Sequence, residues 1–297
     1  MASEFIGSRS KLPLIVIVGP TASGKTSLAI DLAARYGGEI ICADSRTVYK
    51  GMGIGTAKPS LLEQRGVPHW GLDLVDPGEA FNASMFKECA DRKIADIRRR
   101  GKVPFVVGGT GLYIDAVLFN YQFGPSPDVV KRSTLGKLDL CELHKYCNNN
   151  NIKIPENSKN KRYVIREIER RGVSAERQNI PLQNAIIVGI TTPRSVLRSR
   201  VSCRAKSMVE AGVIDEAVAI FQKFGDNSEA ATGSVYRIIK DFYMSKTGCV
   251  DDLVEQFIKS DMGLIKRQMT WFRRNPFIVW GTASSTEHYL SQILEDQ

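Results

Sequence analysis

Histidine is scarce in this chain, with three among 297 residues, and His69, His144 and His288 lie far apart. The six cysteines (Cys42, Cys89, Cys141, Cys147, Cys203, Cys249) form no Cys-x-x-Cys pair. These two shortages exclude a zinc finger and predict reduced thiols. Long apolar runs are missing as well. Leu14–Val18 has the length of a strand, far short of the roughly 18 residues that span a bilayer. Residues 1–12 lack the apolar core of a signal peptide and read as a flexible leader, so a cytoplasmic protein is expected. No internal repeat is visible, which excludes a solenoid.

Positive charge is abundant. Forty-one Lys and Arg stand against 32 Asp and Glu, giving a net charge of +9 and a pI near 9.2. A basic excess favours a polyanionic partner, provided that the charge is clustered.

Six short apolar segments bounded by turns or helices read as buried strands: Leu14–Val18, Glu39–Ala43, His69–Leu74, Val103–Val107, Ala185–Ile190 and Phe277–Trp280. Amphipathic stretches such as Ser27–Tyr36 and Ser84–Arg100 lie between them. This alternation predicts parallel βαβ units and an α/β, doubly wound sheet. The pattern breaks at 124–182, where helices are expected over Val129–Cys147 and Lys161–Arg171 around an Asn-rich stretch. The division is then a core at 13–123, a helical insertion at 124–182, and a resumed core at 183–297. The last part carries helical blocks over Arg194–Phe224 and Tyr236–Arg274.

Gly19-Pro20-Thr21-Ala22-Ser23-Gly24-Lys25-Thr26 fits the phosphate-loop pattern G-x-x-x-x-G-K-[ST], directly after a strand and before a helix. Such a loop turns backbone N–H groups inward around phosphate oxygens, and the helix N-terminus adds partial positive charge. Lys25 supplies a full charge, and the Thr26 hydroxyl is placed to reach a Mg²⁺ ion. The loop specifies phosphate and leaves its carrier open. The second strand ends at Asp44, which suits either metal orientation in a nucleotide kinase or general-base work. Against the kinase, the fourth strand ends in Gly108-Gly109-Thr110 with no carboxylate, and no kinase catalytic loop is present.

Further motifs follow in order: Asp44-Ser45-Arg46-Thr47-Val48-Tyr49-Lys50-Gly51, Gly53–Pro59, Val67-Pro68-His69, Asp76-Pro77, Gly108–Tyr113, Arg200-Val201-Ser202-Cys203-Arg204 and Lys266–Arg274. With the phosphate loop, this series closely resembles the bacterial tRNA dimethylallyltransferase (isopentenyltransferase) family along the whole chain. The resemblance implies a P-loop NTPase-like core whose loop holds the diphosphate of dimethylallyl diphosphate, with Mg²⁺ as cofactor. It implies transfer to N6 of the adenosine 3′-adjacent to the anticodon. Asp44 matches the general base. Gly19, Thr21, Ala22, Ser23, Gly24, Lys25 and Thr26 match the diphosphate cradle, with Arg200 and Arg204 beside the departing group. Ser45, Arg46, Thr47, Thr110, Tyr236 and Arg237 match positions near the tRNA. Here Thr47 stands where many members have Gln, Gly53 where Asp is frequent, Trp70 where a second His is frequent, and Val235 where Gly precedes the tyrosine.

The insertion supplies the clustered charge, with seven Lys and Arg between Lys159 and Arg177 against three Glu. Lys131, Arg132, Lys161, Arg162 and Arg166 are therefore expected to face the tRNA anticodon stem-loop. A solvated helix face is the plain alternative. No self-association seam is visible, which predicts a monomer. Two other enzyme readings share the loop and Asp44: transfer to free adenylate, and a phosphate-loop kinase. A non-catalytic RNA-binding module would need neither Lys25 nor Asp44.

Overall fold

The computed structural model describes residues 12–124, 128–171, 176–245 and 249–295. The expected leader falls almost wholly outside them.

Two compact units are present. The larger comprises residues 1–118 and 181–297, and the smaller comprises 119–180. In the larger, β1 (Leu14–Val18), α1 (Lys25–Tyr36), β2 (Glu39–Ala43), α2 (Leu61–Gln64), β3 (His69–Trp70), α3 (Ala83–Arg99), β4 (Pro104–Gly108) and α4 (Gly111–Leu118) come in chain order. The smaller unit holds α5 (Val129–Lys137), α6 (Leu140–Asn149) and α7 (Lys161–Arg170). The chain then returns through β5 (Ala185–Ile190), α8 (Arg194–Glu210), α9 (Val213–Phe224), α10 (Ser234–Ser245), α11 (Val250–Phe272), β6 (Val279–Gly281) and α12 (Ala283–Glu295).

The six strands form one parallel sheet in the order β3-β2-β4-β1-β5-β6. Every residue of β1, β2 and β4 is buried. This explains why these strands read as continuous apolar runs: helices cover both faces. On one face, Leu28, Ala29 and Leu32 of α1 pack on Ile15, Ile17, Ile40 and Phe105. Another cluster joins α8, α9, α10 and α11 to Val48, Tyr49 and Met52 of the segment after β2. The smaller unit has its own core of Leu135, Leu143, Cys147, Val164, Ile165 and Ile168.

Several expected elements are shorter or divided, for local reasons. β3 stops at Trp70, where Gly71 turns the chain at φ 86°. The last strand begins at Val279, because Asn275 Oδ1 accepts the Phe277 amide and holds a turn. The helix expected over Val129–Cys147 is two helices, since Asp139 and Glu142 form a reciprocal capping box that starts α6. Arg194–Phe224 divides at Gly212, in the left-handed region at φ 88°. Tyr236–Arg274 divides into α10 and α11, with 246–248 outside the described residues. Among the described residues no helix is long and apolar enough to cross a membrane.

Candidate active site

Register brings the chemistry together. Gly108 of β4 pairs with Val18 of β1 on one side and Ala43 of β2 on the other. The phosphate loop, the segment starting at Asp44 and the Gly109-Thr110 turn therefore leave the sheet at one level, outside the strand C-termini. Ligands of doubly wound sheets bind there.

The phosphate loop is held by its own backbone. Gly24 caps α1 at φ 89° and Ala22 sits at φ 63°, a conformation that a residue with a Cβ adopts at a cost. The Ser23 amide donates to the Pro20 carbonyl at 3.2 Å, closing the turn. Lys25 Nζ lies 3.3 Å from the same carbonyl. Burial pushes the Lys25 ammonium down to about 8; nearby Asp44 partly restores it, and Arg204 lowers it further. Thr21, Ala22, Gly24, Lys25, Thr26, Asp44, Thr47 and Arg204 all line one cavity of about 170 Å³. Apolar residues, Ile40, Cys42, Leu72 and Val107 among them, complete the lining. Burial, with Asp44 nearby, pushes the Cys42 thiol up to about 12, so this cysteine is no thiolate nucleophile.

Asp44 Oδ1 accepts the Arg46 amide at 2.8 Å, a local turn that fixes the carboxylate at the strand end. Thr110 Oγ1 accepts the Ser45 amide at 3.0 Å and stands 3.5 Å from Ser45 Oγ, tying the turn after β4 to the segment after β2. Thr47 is 6% exposed, and among the described residues its hydroxyl has no protein partner although it belongs to the cavity lining. Arg200 reaches the loop from α8, its Nη1 3.1 Å from the Ala22 carbonyl. Arg204 pairs with Asp261 of α11, which is 7% exposed.

Several expected contacts take a different form. Thr21 lines the cavity, but its amide donates to Gln268 Oε1 at 2.9 Å, so that donor is not turned to phosphate. Tyr236 is 1% exposed and donates to Glu216 Oε1 at 2.7 Å, which makes it a core residue whose ring cannot meet RNA. Burial, with Glu216 beside it, raises its phenol far above the usual range. Arg46 Nη1 lies 3.4 Å from both the Glu229 carbonyl and Thr232 Oγ1. Arg237 is exposed.

In the smaller unit, Arg132 grips the buried carboxylate of Glu169 with two bonds of 2.7 Å, and Arg166 lies 3.3 Å from the same group. These two arginines neutralise an internal charge, which is a structural task. Lys161 Nζ donates to the Gly136 carbonyl at 2.7 Å, closing α7 against the end of α5. Arg162 is exposed and Lys131 half-buried. On α11, Phe272 is core, whereas Trp271 is half-buried with its indole N–H 2.8 Å from Asp115. Lys266, Arg267, Arg273 and Arg274 are exposed.

Three residues with structural purchase on the site were given no role by the sequence alone, although Gln268 falls within the Lys266–Arg274 motif. Asp261 and Gln268 lie on the buried stripe of α11, among Phe257, Ile258, Ile265 and Phe272. A polar side chain on an apolar stripe was the available signal. Nothing in the sequence marks Glu216, whose carboxylate accepts the backbone amides of Gly53, Ile54 and Gly55, each at 2.8 Å. It clasps the loop that brings Thr56, Ala57 and Pro59 to the cavity.

For a divalent ion, the Thr26 hydroxyl at the first turn of α1 and the Asp44 carboxylate are oxygen donors among the residues that line the cavity. Among the described residues no group of three His, Cys, Asp or Glu is gathered to cage an ion. The donor set fits Mg²⁺ completed by phosphate oxygens and water, its usual company at phosphate sites.

A phosphate loop on β1, a carboxylate on β2 and a threonine turn on β4 define a phosphate-loop α/β protein suited to moving a group from a phosphorylated donor. Comparison with known proteins narrows the class. The family model described as IPP transferase matches residues 47–275, and that of isopentenyl transferase matches 12–69. A tRNA dimethylallyltransferase of Macrococcus caseolyticus is 34% identical over 284 residues, 91% of each chain. One from Bacillus pumilus is 34% identical over 297 residues, covering 95% of this chain and 93% of that one. Among solved structures, the tRNA isopentenylpyrophosphate transferase of Bacillus halodurans superposes with a TM-score of 0.74 at 31% identity, covering 96% of this chain and 98% of that one. A eukaryotic dimethylallyltransferase acting on tRNA gives 0.76 at 25% identity, covering 92% of this chain and 75% of that one. The chain belongs to the IPP transferase family and is a prenyltransferase.

Proposed function

We propose that this protein transfers a dimethylallyl group from dimethylallyl diphosphate to N6 of the adenosine 3′-adjacent to the anticodon in tRNA, releasing diphosphate. The observation that carries the reading is the shared cavity of Lys25, Thr26 and Asp44 at the strand C-termini: an anion cradle and a carboxylate lining one space. In the reaction, the N6 lone pair forms a bond to C1 of the dimethylallyl group as the C1–O bond to diphosphate breaks. An exocyclic amine conjugated with its ring is a weak nucleophile, so removal of its proton is required, and Asp44 is the acceptor. The electron pair leaves on diphosphate, where Lys25, the loop amides other than those of Thr21 and Ser23, Arg200 and Arg204 offset its growing charge. Mg²⁺ held by Thr26, when bound, adds further charge neutralisation to the leaving group.

The target base must leave its stack to enter a cavity between strand ends. Thr110 and Ser45 stand beside Asp44 where the base would arrive, and the unpartnered Thr47 hydroxyl offers it a hydrogen bond. Exposed cations such as Arg162 would take the stem phosphates. The protein would act as a monomer in the cytoplasm, where its substrate resides.

Asp44→Ala tests this assignment, with transfer and tRNA binding measured on the same preparations. Transfer should fall by three orders of magnitude or more, on the order expected for loss of a general base at a fixed geometry, with tRNA affinity held within about threefold. Equal loss of both would make Asp44 a structural residue.

A further inference from the structure

Gln268 spans two parts of the site that sequence keeps almost ninety residues apart. From the inner face of α11, its Oε1 accepts the Thr21 amide of the phosphate loop at 2.9 Å. Its Nε2 donates to the carbonyl of Gly109 at 3.1 Å, in a bond closed to solvent. The next residue, Thr110, holds the Ser45 amide beside Asp44. One rigid amide thus bridges the loop that would hold the donor and the turn that would face the acceptor.

The surroundings are built for this bridge. A Cβ on Gly109 would come within 2.3 Å of Gln268 Nε2, so glycine is required for the side chain to reach the carbonyl. One helical turn on, Trp271 seals the seam: a Cβ on Gly111 would sit 2.3 Å from its ring, and its indole bonds Asp115. Gln268 is 9% exposed, with both ends of its amide satisfied. A buried amide costs free energy unless both ends are matched, and simple filling of this space would be served as well by leucine.

We propose that Gln268 is a positioning residue that sets the separation between the diphosphate loop and the acceptor turn. It touches neither reactant; it holds the Thr21 amide out of the anion cradle and fixes the carbonyl before Thr110. Its role rests on the transfer reaction proposed above. Misplacement of reacting groups by about 1 Å costs on the order of a hundredfold in rate, so loosening this bridge should act on the chemical step more than on binding.

The test is single-turnover transfer, with dimethylallyl diphosphate and tRNA saturating, by full-length Gln268→Leu and Gln268→Glu. Gln268→Leu keeps the volume and loses both bonds; its rate should fall at least about tenfold, with tRNA affinity within about twofold. Gln268→Glu keeps an acceptor for Thr21 but, when ionised, sets a charge against the Gly109 carbonyl. Protonation restores a donor, so its rate relative to wild type should climb as the pH is lowered from 8 to 6. A merely space-filling role moves neither readout. Gln268→Leu turning over within twofold of wild type overturns the proposal. Should that variant fail to fold, Gln268→Glu decides, and a ratio near one at every pH overturns it. A wild type that transfers nothing to tRNA sinks the transfer reading and this role with it. An active wild type matched by both variants sinks the positioning role alone.

Discussion

Tyr236 of α10 gives its hydroxyl to Glu216 of α9 across 2.7 Å, and the same carboxylate takes the amides of Gly53, Ile54 and Gly55. A Cβ on Gly55 would come within 2.7 Å of the Tyr236 oxygen, so ring and loop are in direct contact. Two helices far along the chain therefore fix the loop that follows the candidate base. The consequence is testable. Tyr236→Phe should cost about 1.5–3 kcal/mol, the range for a buried hydrogen bond to a charged group, read by urea unfolding, with tRNA affinity unchanged. A marked drop in tRNA affinity at unchanged stability would return Tyr236 to the RNA surface.

Lys25 makes anion binding depend on pH. Its ammonium is lowered to about 8, so the cationic form is complete below that value and lost as pH rises through it. In the folded protein the charge is disfavoured by burial, and a bound anion reverses this by favouring the proton. Affinity for inorganic diphosphate should then weaken above pH 8, by up to about tenfold per unit from this group, with proton uptake measurable by calorimetry in buffers of different ionisation enthalpy. Lys25→Ala should bind weakly with that component of the slope removed. An unchanged slope in the variant would assign the titration elsewhere.

Acid stability should depend on Glu39. This carboxylate, 1% exposed at the start of β2, is bound by Arg100, by Lys102 at 3.0 Å and by the Trp70 indole at 2.9 Å. Above all the Arg100 guanidinium holds it down to about 2 against an ordinary 4.5. A depressed carboxylate contributes stability above its unfolded value and loses it as pH falls through the window from 4.5 towards 2. The shift corresponds to about 3 kcal/mol, brought to about 2 by solvent screening at the partly exposed Arg100 and Lys102. Urea titrations of wild type and Glu39→Gln across that window check it; parallel curves would refute the assignment.

The cations of the smaller unit should separate into two kinds. Arg162→Ala, at an exposed position, should weaken tRNA binding and reduce the salt slope by about one ion. Arg132→Ala should instead destabilise the unit, because Glu169 is buried and loses its bidentate partner. Thermal melting and salt-dependent tRNA binding, measured on both variants, distinguish these. Equal effects on both readouts would erase the division.

Much of this was legible in the residues. The sheet could be read because its central strands β1, β2 and β4 are buried on both faces and so appear as uninterrupted apolar runs. The phosphate loop and Asp44 could be read because their chemistry is local, set by a few consecutive residues at a strand end. What escaped is non-local. Gln268 meets Thr21 across 247 positions and Glu216 meets Gly53 across 163, and no spacing rule foretells such pairs. Charge was misleading for a related reason. Arg132 and Arg166 look like RNA ligands until Glu169, from the same basic stretch, is found buried between them.

Transfer of a dimethylallyl group to tRNA is tested most directly by nucleoside mass spectrometry on unmodified tRNA incubated with the protein, Mg²⁺ and dimethylallyl diphosphate, with AMP and ATP offered in parallel. A dimethylallyl mass gain on one adenosine beside the anticodon is expected, with both nucleotides unchanged. Prenylated AMP or ATP with unaltered tRNA, or no transfer to any acceptor, would contradict it.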